Sequence, residues 1–281
     1  MAPNPSARQP LKLLMLHGYT QSGTLFHAKS RALTKHIQKA FPQHEVIATY
    51  PTGPLRLRPS EIPGYEPPSE GQPDTDEIEA YGWWRRSSVA DPPLYTGIEE
   101  GFATVAETLK KEGPFDGVIG FSQGAAMAAM VAALLEGRSE TFEHFAQVTE
   151  EGASGMTLPV PFSDTDFQHP PLKFALCYSG FRAPGVRYRA FYEPAITTPV
   201  LHVLGSLDAV VEESRSRALI EACAGEPEKD GSVVWHPGGH FLPSQRPYLD
   251  AAVRFIREQL ESGEGKKKIE EVDVNDMDMP F

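Results

Sequence analysis

Gly117-Val118-Ile119-Gly120-Phe121 is apolar without alternation, stops at Ser122, and passes directly into an alanine-rich segment over residues 123–135. A short continuous apolar run that ends at turn residues suits a strand buried on both faces, as strands of a parallel sheet are. A strand that turns straight into a helix needs glycine at the turn, and Gly120 and Gly124 flank Ser122 on either side. Ala125, Ala126, Ala128 and Ala129 then leave room for the helix to lie close against the sheet.

The same unit recurs. Residues 12–16, 45–50, 174–178, 199–204 and 232–235 read as further strands, and residues 28–41, 96–111, 212–224 and 247–260 carry helical spacing. Strands alternating with helices imply an α/β fold, a mostly parallel central sheet with helices on both faces. Two stretches interrupt the pattern. Residues 55–93, dense in proline, glycine and acids with Trp83-Trp84 near the end, read as a long irregular loop. Residues 136–171 read as a second irregular region with a short helix at 140–148. The expected organisation is a flexible lead over 1–10, one α/β domain over 11–261 and an acidic tail over 262–281. That tail lacks periodicity and is expected to be disordered.

Composition narrows the function. With 40% hydrophobic and 23% charged residues the chain is that of an ordinary globular protein. The net charge of −12 opposes binding to nucleic acid or anionic membranes, and no apolar run approaches the roughly 20 residues of a membrane span. Residues 11–16 are too short for a signal-peptide core. Cys177 and Cys223 read as separate buried thiols rather than a disulfide, so the cytoplasm is the expected compartment, with the nucleus as a second.

A serine hydroxyl becomes a good nucleophile only when a base takes its proton, and that base must be oriented by a carboxylate. In the hydrolases known to carry a serine on such a strand-to-helix turn, the acid and then the histidine follow later in the chain, so both are expected here at the ends of subsequent strands. Asp208, in Gly205-Ser206-Leu207-Asp208, and His240, in Pro237-Gly238-Gly239-His240-Phe241, stand there. Glu212 and Glu213 compete weakly for the acid, since they fall inside a helix. His236 and His202 are the alternatives to His240, and His17 reads as shaping the loop after the first strand. An oxyanion needs N–H donors aimed in advance. The expected donors are the backbone amides of Gln123 and Tyr19, with Thr20 next. No spacing of His, Cys or acids suggests a metal site, no glycine-rich dinucleotide motif is present, and no cofactor is expected.

Leu16-His17-Gly18-Tyr19-Thr20-Gln21-Ser22-Gly23, Tyr50-Pro51-Thr52-Gly53-Pro54, Trp83-Trp84, Gly120-Phe121-Ser122-Gln123-Gly124, Ser179-Gly180-Phe181, Gly205-Ser206-Leu207-Asp208 and Gly239-His240 together resemble the FSH family of serine hydrolases. The resemblance spans residues 11–260. It implies an α/β-hydrolase fold without a large cap, carboxylic-ester hydrolysis, and Ser122, Asp208 and His240 as the triad. It also implies, as alternatives, thioesterases that release acyl or polyketide chains from a carrier domain, whereas a catalytically silent binding module is the rival from outside enzymes. Residues 55–93 and 136–171 are where the acyl pocket is expected, with Trp83, Trp84, Phe162 and Phe181 as candidate lining.

Overall fold

The computed structural model describes residues 8–65, 79–150, 153–164 and 166–275. Six strands form the central sheet: β1 (Gln9–Leu16), β2 (His44–Thr49), β3 (Gly117–Phe121), β4 (Phe174–Tyr178), β5 (Val200–Gly205) and β6 (Val233–His236). Their order is β2-β1-β3-β4-β5-β6, and every pairing is parallel. The helices are α1 (Gly23–Ala40), α2 (Ile98–Glu112), α3 (Gln123–Leu134), α4 (Ser139–Gln147), α5 (Glu213–Glu221) and α6 (Arg246–Asn275).

The strands alternate between two cores. Leu11, Leu13 and Met15 of β1 join Ile119 and Phe121 of β3 and Phe174, Leu176 and Tyr178 of β4 on the face covered by α1 and α6. Leu14, Leu16, Val118, Ala175 and Cys177 point to the opposite face, under α2, α3 and α5. Both faces being covered explains why these strands read as unbroken apolar runs. All residues of α3 are buried. Its alanines meet the small side chains of β4, close enough for the Cys177 thiol to lie 3.4 Å from the Ala125 carbonyl oxygen. Cys177 and Cys223 are separate buried thiols.

The structure moves several boundaries. α1 begins at Gly23 rather than at residue 28, because Ser22 caps it, its Oγ accepting from the Leu25 amide at 3.2 Å. α6 continues past residue 260 to Asn275. Within residues 55–93, the stretch 66–78 lies outside the described residues. The remainder is pinned at its ends: Leu55–Arg56 pairs with Tyr81–Gly82, and Arg85–Arg86 pairs with Tyr95–Thr96. In the second interruption α4 falls where a short helix was expected, followed by the hairpin Thr149–Glu150 with Ala153–Ser154 and one helical turn, Val160–Ser163. Among the described residues no helix is long and apolar enough to cross a membrane.

The strand order places the site. The chain leaves β1 toward β2 on one side, whereas from β3 it proceeds to β4 on the other. The connections after β1 and β3 therefore diverge and open a crevice at the carboxyl ends of these neighbouring strands.

Candidate active site

Ser122 sits at that crevice, between the end of β3 and the start of α3, with φ 53° and ψ −118°. A non-glycine residue in such a conformation costs about 1–3 kcal/mol and persists only when its neighbours fix it. Here the Ser122 amide donates to the Tyr178 carbonyl at 2.8 Å, and the Ser122 carbonyl accepts from Ala125 and Ala126 at 3.0 and 3.1 Å. Gly124 lets α3 start against the sheet: a Cβ there would stand 2.1 Å from the Leu16 carbonyl oxygen and 2.4 Å from that of His17.

The structure brings the three expected side chains together. His240 Nε2 is 2.9 Å from Ser122 Oγ, and His240 Nδ1 is 2.7 Å from Asp208 Oδ2. Asp208 Oδ1 accepts from the Val210 and Val211 amides at 2.9 and 3.0 Å, which fixes the carboxylate plane. Burial pushes the Asp208 carboxyl up, but the bonds from Val211, His240 and Val210 outweigh it and leave the group below its ordinary range. The two loops that carry acid and histidine are tied to each other: Ser206 and Leu207 donate to the His236 and Gly238 carbonyls at 2.9 and 3.0 Å. Gly205 permits this approach, since a Cβ would fall 2.4 Å from the Gly239 oxygen.

The alternatives lie elsewhere. His236 is buried between the rings of Phe241 and Tyr248, at 5.0 and 5.7 Å. His202 is buried within β5 beside Cys223, and desolvation lowers it to about 3. Glu212 and Glu213 stand at the start of α5, exposed.

Of the expected oxyanion donors, the Thr20 amide is occupied, donating to the Tyr81 carbonyl at 2.9 Å. The Tyr19 and Gln123 amides have no acceptor among the described residues. Sequence reasoning missed what holds them. The Gln123 side chain, buried, accepts from the Trp83 amide at 2.7 Å and donates to the Trp84 carbonyl at 2.9 Å. The Trp83 indole N–H in turn donates to the His17 carbonyl at 2.9 Å, beside Gly18 and Tyr19. His17 Nε2 accepts from the Gly53 amide at 2.8 Å, so the proton resides on Nδ1 and is donated to the Gly18 carbonyl at 2.8 Å. Burial lowers this imidazole to about 4 against the opposing Gly18 contact, which keeps it neutral. Gly53 and Trp83-Trp84, distant in sequence from Ser122, thus belong to one scaffold beneath the crevice. Trp83 and Trp84 are buried at 0% and 1% exposure, as core rather than pocket lining. Phe162 packs on Phe102 and Phe167, and Phe181 is covered by Trp84 and Arg215.

The all-parallel sheet and the strand-to-helix turn that carries Ser122 are those of an α/β-hydrolase fold. The chain belongs to the serine hydrolase (FSH1) family, whose model matches residues 6–252. It is 34% identical over 258 residues to esterase OVCA2 of Danio rerio, covering 88% of this chain and 98% of that protein. It also spans about half of two Schizosaccharomyces pombe relatives: 50% of one, and 45% of another, named dihydrofolate reductase, to which it is 32% identical over 246 residues, 85% of this chain. Among solved structures, maize acyl-protein thioesterase 2 shares the fold, with a TM-score of 0.54 at 20% identity over 92% of this chain and 96% of that one.

Proposed function

We propose that the protein hydrolyses carboxylic esters or thioesters through an acyl-enzyme at Ser122. The observation that carries this reading is the unbroken relay Asp208–His240–Ser122, with contacts of 2.7 and 2.9 Å. His240 Nε2 accepts the Ser122 proton as Oγ attacks the substrate carbonyl carbon, and the Asp208 carboxylate steadies the imidazolium. The carbonyl oxygen, now negative, is held by the Tyr19 and Gln123 amides, each worth about 3 kcal/mol in such sites. The bond to the leaving oxygen or sulfur breaks, and His240 returns the proton to it. Water, deprotonated by His240, then releases the acid and restores Ser122. No metal or cofactor enters this sequence of steps.

Esterase and thioesterase names among relatives and fold neighbours support the reaction class. Release of an acyl chain from a carrier domain is the same chemistry with a larger leaving group. The two unpaired thiols support a reducing compartment, cytoplasm or nucleus, as the place of action. Short-chain p-nitrophenyl esters and matched thioesters assayed with wild type and Ser122→Ala test the proposal. Turnover by wild type alone is expected; equal turnover by Ser122→Ala would refute it.

A further inference from the structure

Three segments that build the site continue outward into one groove, and each carries an arginine. Arg86 lies two residues beyond Trp84, whose carbonyl the Gln123 side chain holds. Arg182 follows Phe181 in the loop after β4, the strand whose Tyr178 carbonyl fixes the Ser122 amide. Arg215 stands in the first turn of α5, just past Val211, whose amide donates to Asp208. A fourth, Arg189, comes from the 3₁₀ turn Val186–Phe191. Together these four line an open groove of about 560 Å³, its remaining wall formed by Pro93, Ala183 and neighbouring small or apolar residues.

Three of the guanidinium groups are held in place. Arg215 lies over the Phe181 ring at 4.1 Å and Arg182 over the Tyr192 ring at 5.0 Å, and the backbone joins them, the Arg182 amide donating to the Arg215 carbonyl at 3.1 Å. Arg182 and Arg189 share the Glu193 carboxylate at 3.0 and 2.7 Å. Arg86 and Arg215 have no carboxylate partner among the described residues. A concentration of positive charge in one groove is unexpected in a chain of net charge −12, and planar guanidinium forks match phosphate oxygens in pairs.

We propose that this groove binds the phosphate-bearing end of the leaving group, so that the substrates are acyl thioesters of phosphorylated thiols such as coenzyme A. The inference rests on the hydrolase reading of Ser122. When the carbon–sulfur bond breaks, the thiol sulfur takes the proton from His240 Nε2 and the thiol departs with its phosphates still on the arginines. The acyl group stays on Ser122 until water releases it as the acid.

The test compares kcat/KM for butyryl-coenzyme A with that for the butyryl thioester of N-acetylcysteamine, which has the same reacting bond and no phosphate. Wild type is expected to favour the coenzyme A thioester by about ten-fold or more, and added salt to erode the preference. The double variant Arg86→Gln with Arg215→Gln is expected to bring the ratio close to one. Arg217→Gln, which removes an exposed arginine of α5 outside the groove, is expected to preserve the ratio. Butyryl phosphopantetheine on a carrier domain separates the sources: the same arginine dependence there means that the phosphodiester suffices, and its absence there assigns the nucleotide phosphates. A wild-type ratio near one, or a double variant that lowers both substrates in proportion, overturns the proposal. Calorimetric titration of coenzyme A into Ser122→Ala separates it from the hydrolase reading. Saturable binding weakened at least ten-fold by the two arginine changes supports the groove even if no thioester is turned over. Absence of binding refutes the groove whatever the fate of the esters.

Discussion

Acid is expected to weaken this protein through His17. In the unfolded chain an imidazole titrates near 6.5, whereas burial in the fold lowers His17 to about 4. A base whose folded pKa is depressed leaves stability intact above the unfolded value. The unfolded chain then binds a proton that the folded chain refuses, and stability falls as pH drops from 6.5 to about 4, levelling below. Over that interval the loss through this one group is about 3 kcal/mol. His202, lowered to about 3, acts in the same direction and extends the decline. His17→Gln isolates the first contribution, since the amide can still accept from Gly53 and donate toward Gly18 but does not titrate. At neutral pH the variant is expected to be less stable than wild type by about 2 kcal/mol for the lost ring packing. Urea unfolding followed by tryptophan fluorescence, near pH 7 and near pH 4, measures the gap at each end. It should close by about 3 kcal/mol toward acid, so that the two proteins meet or cross. A gap that stays constant across the range would mean that His17 is not held neutral, and the account of the scaffold beneath Tyr19 would fall with it.

Two further substitutions separate chemistry from support. Asp208→Asn keeps acceptors for the Val210 and Val211 amides but presents an N–H group or a neutral oxygen to His240 Nδ1, so kcat is expected to fall about 10³–10⁴-fold with little change in the urea midpoint. A fall of less than ten-fold would remove Asp208 from the relay. Gln123→Ala leaves the backbone amide but strands the buried Trp83 N–H and Trp84 carbonyl, a cost of about 2–5 kcal/mol. Its loss of stability should exceed its loss of kcat, as measured by unfolding and by ester turnover; the reverse order would place the side chain in the chemistry.

What could be read from the sequence was what local physics dictates. β3 and β4 are buried on both faces, so their apolar runs end where the strands end, and the observed bounds coincide with the runs. Ser122, Asp208 and His240 were recognisable because each follows a strand, and their meeting follows from parallel strands delivering every carboxyl end to one edge. The start of α1 was missed because its first turn, residues 23–27, has little periodicity, though the Ser22 cap was a usable signal. Most instructive is Gln123, chosen for its amide alone. Its side chain crosses to Trp83-Trp84, and no spacing rule connects positions that pair only after the chain has folded back. The arginine groove was likewise invisible, since Arg86, Arg182, Arg189 and Arg215 meet only in space.

The central claim, an activated serine at the turn after β3, is tested most directly by covalent trapping. Wild-type protein treated with a fluorophosphonate should gain the mass of one phosphonyl group, located by peptide mass spectrometry on the peptide carrying Ser122. Ser122→Ala should remain unlabelled while keeping its fold. An unmodified wild type, or label of equal extent on Ser122→Ala, would contradict the account.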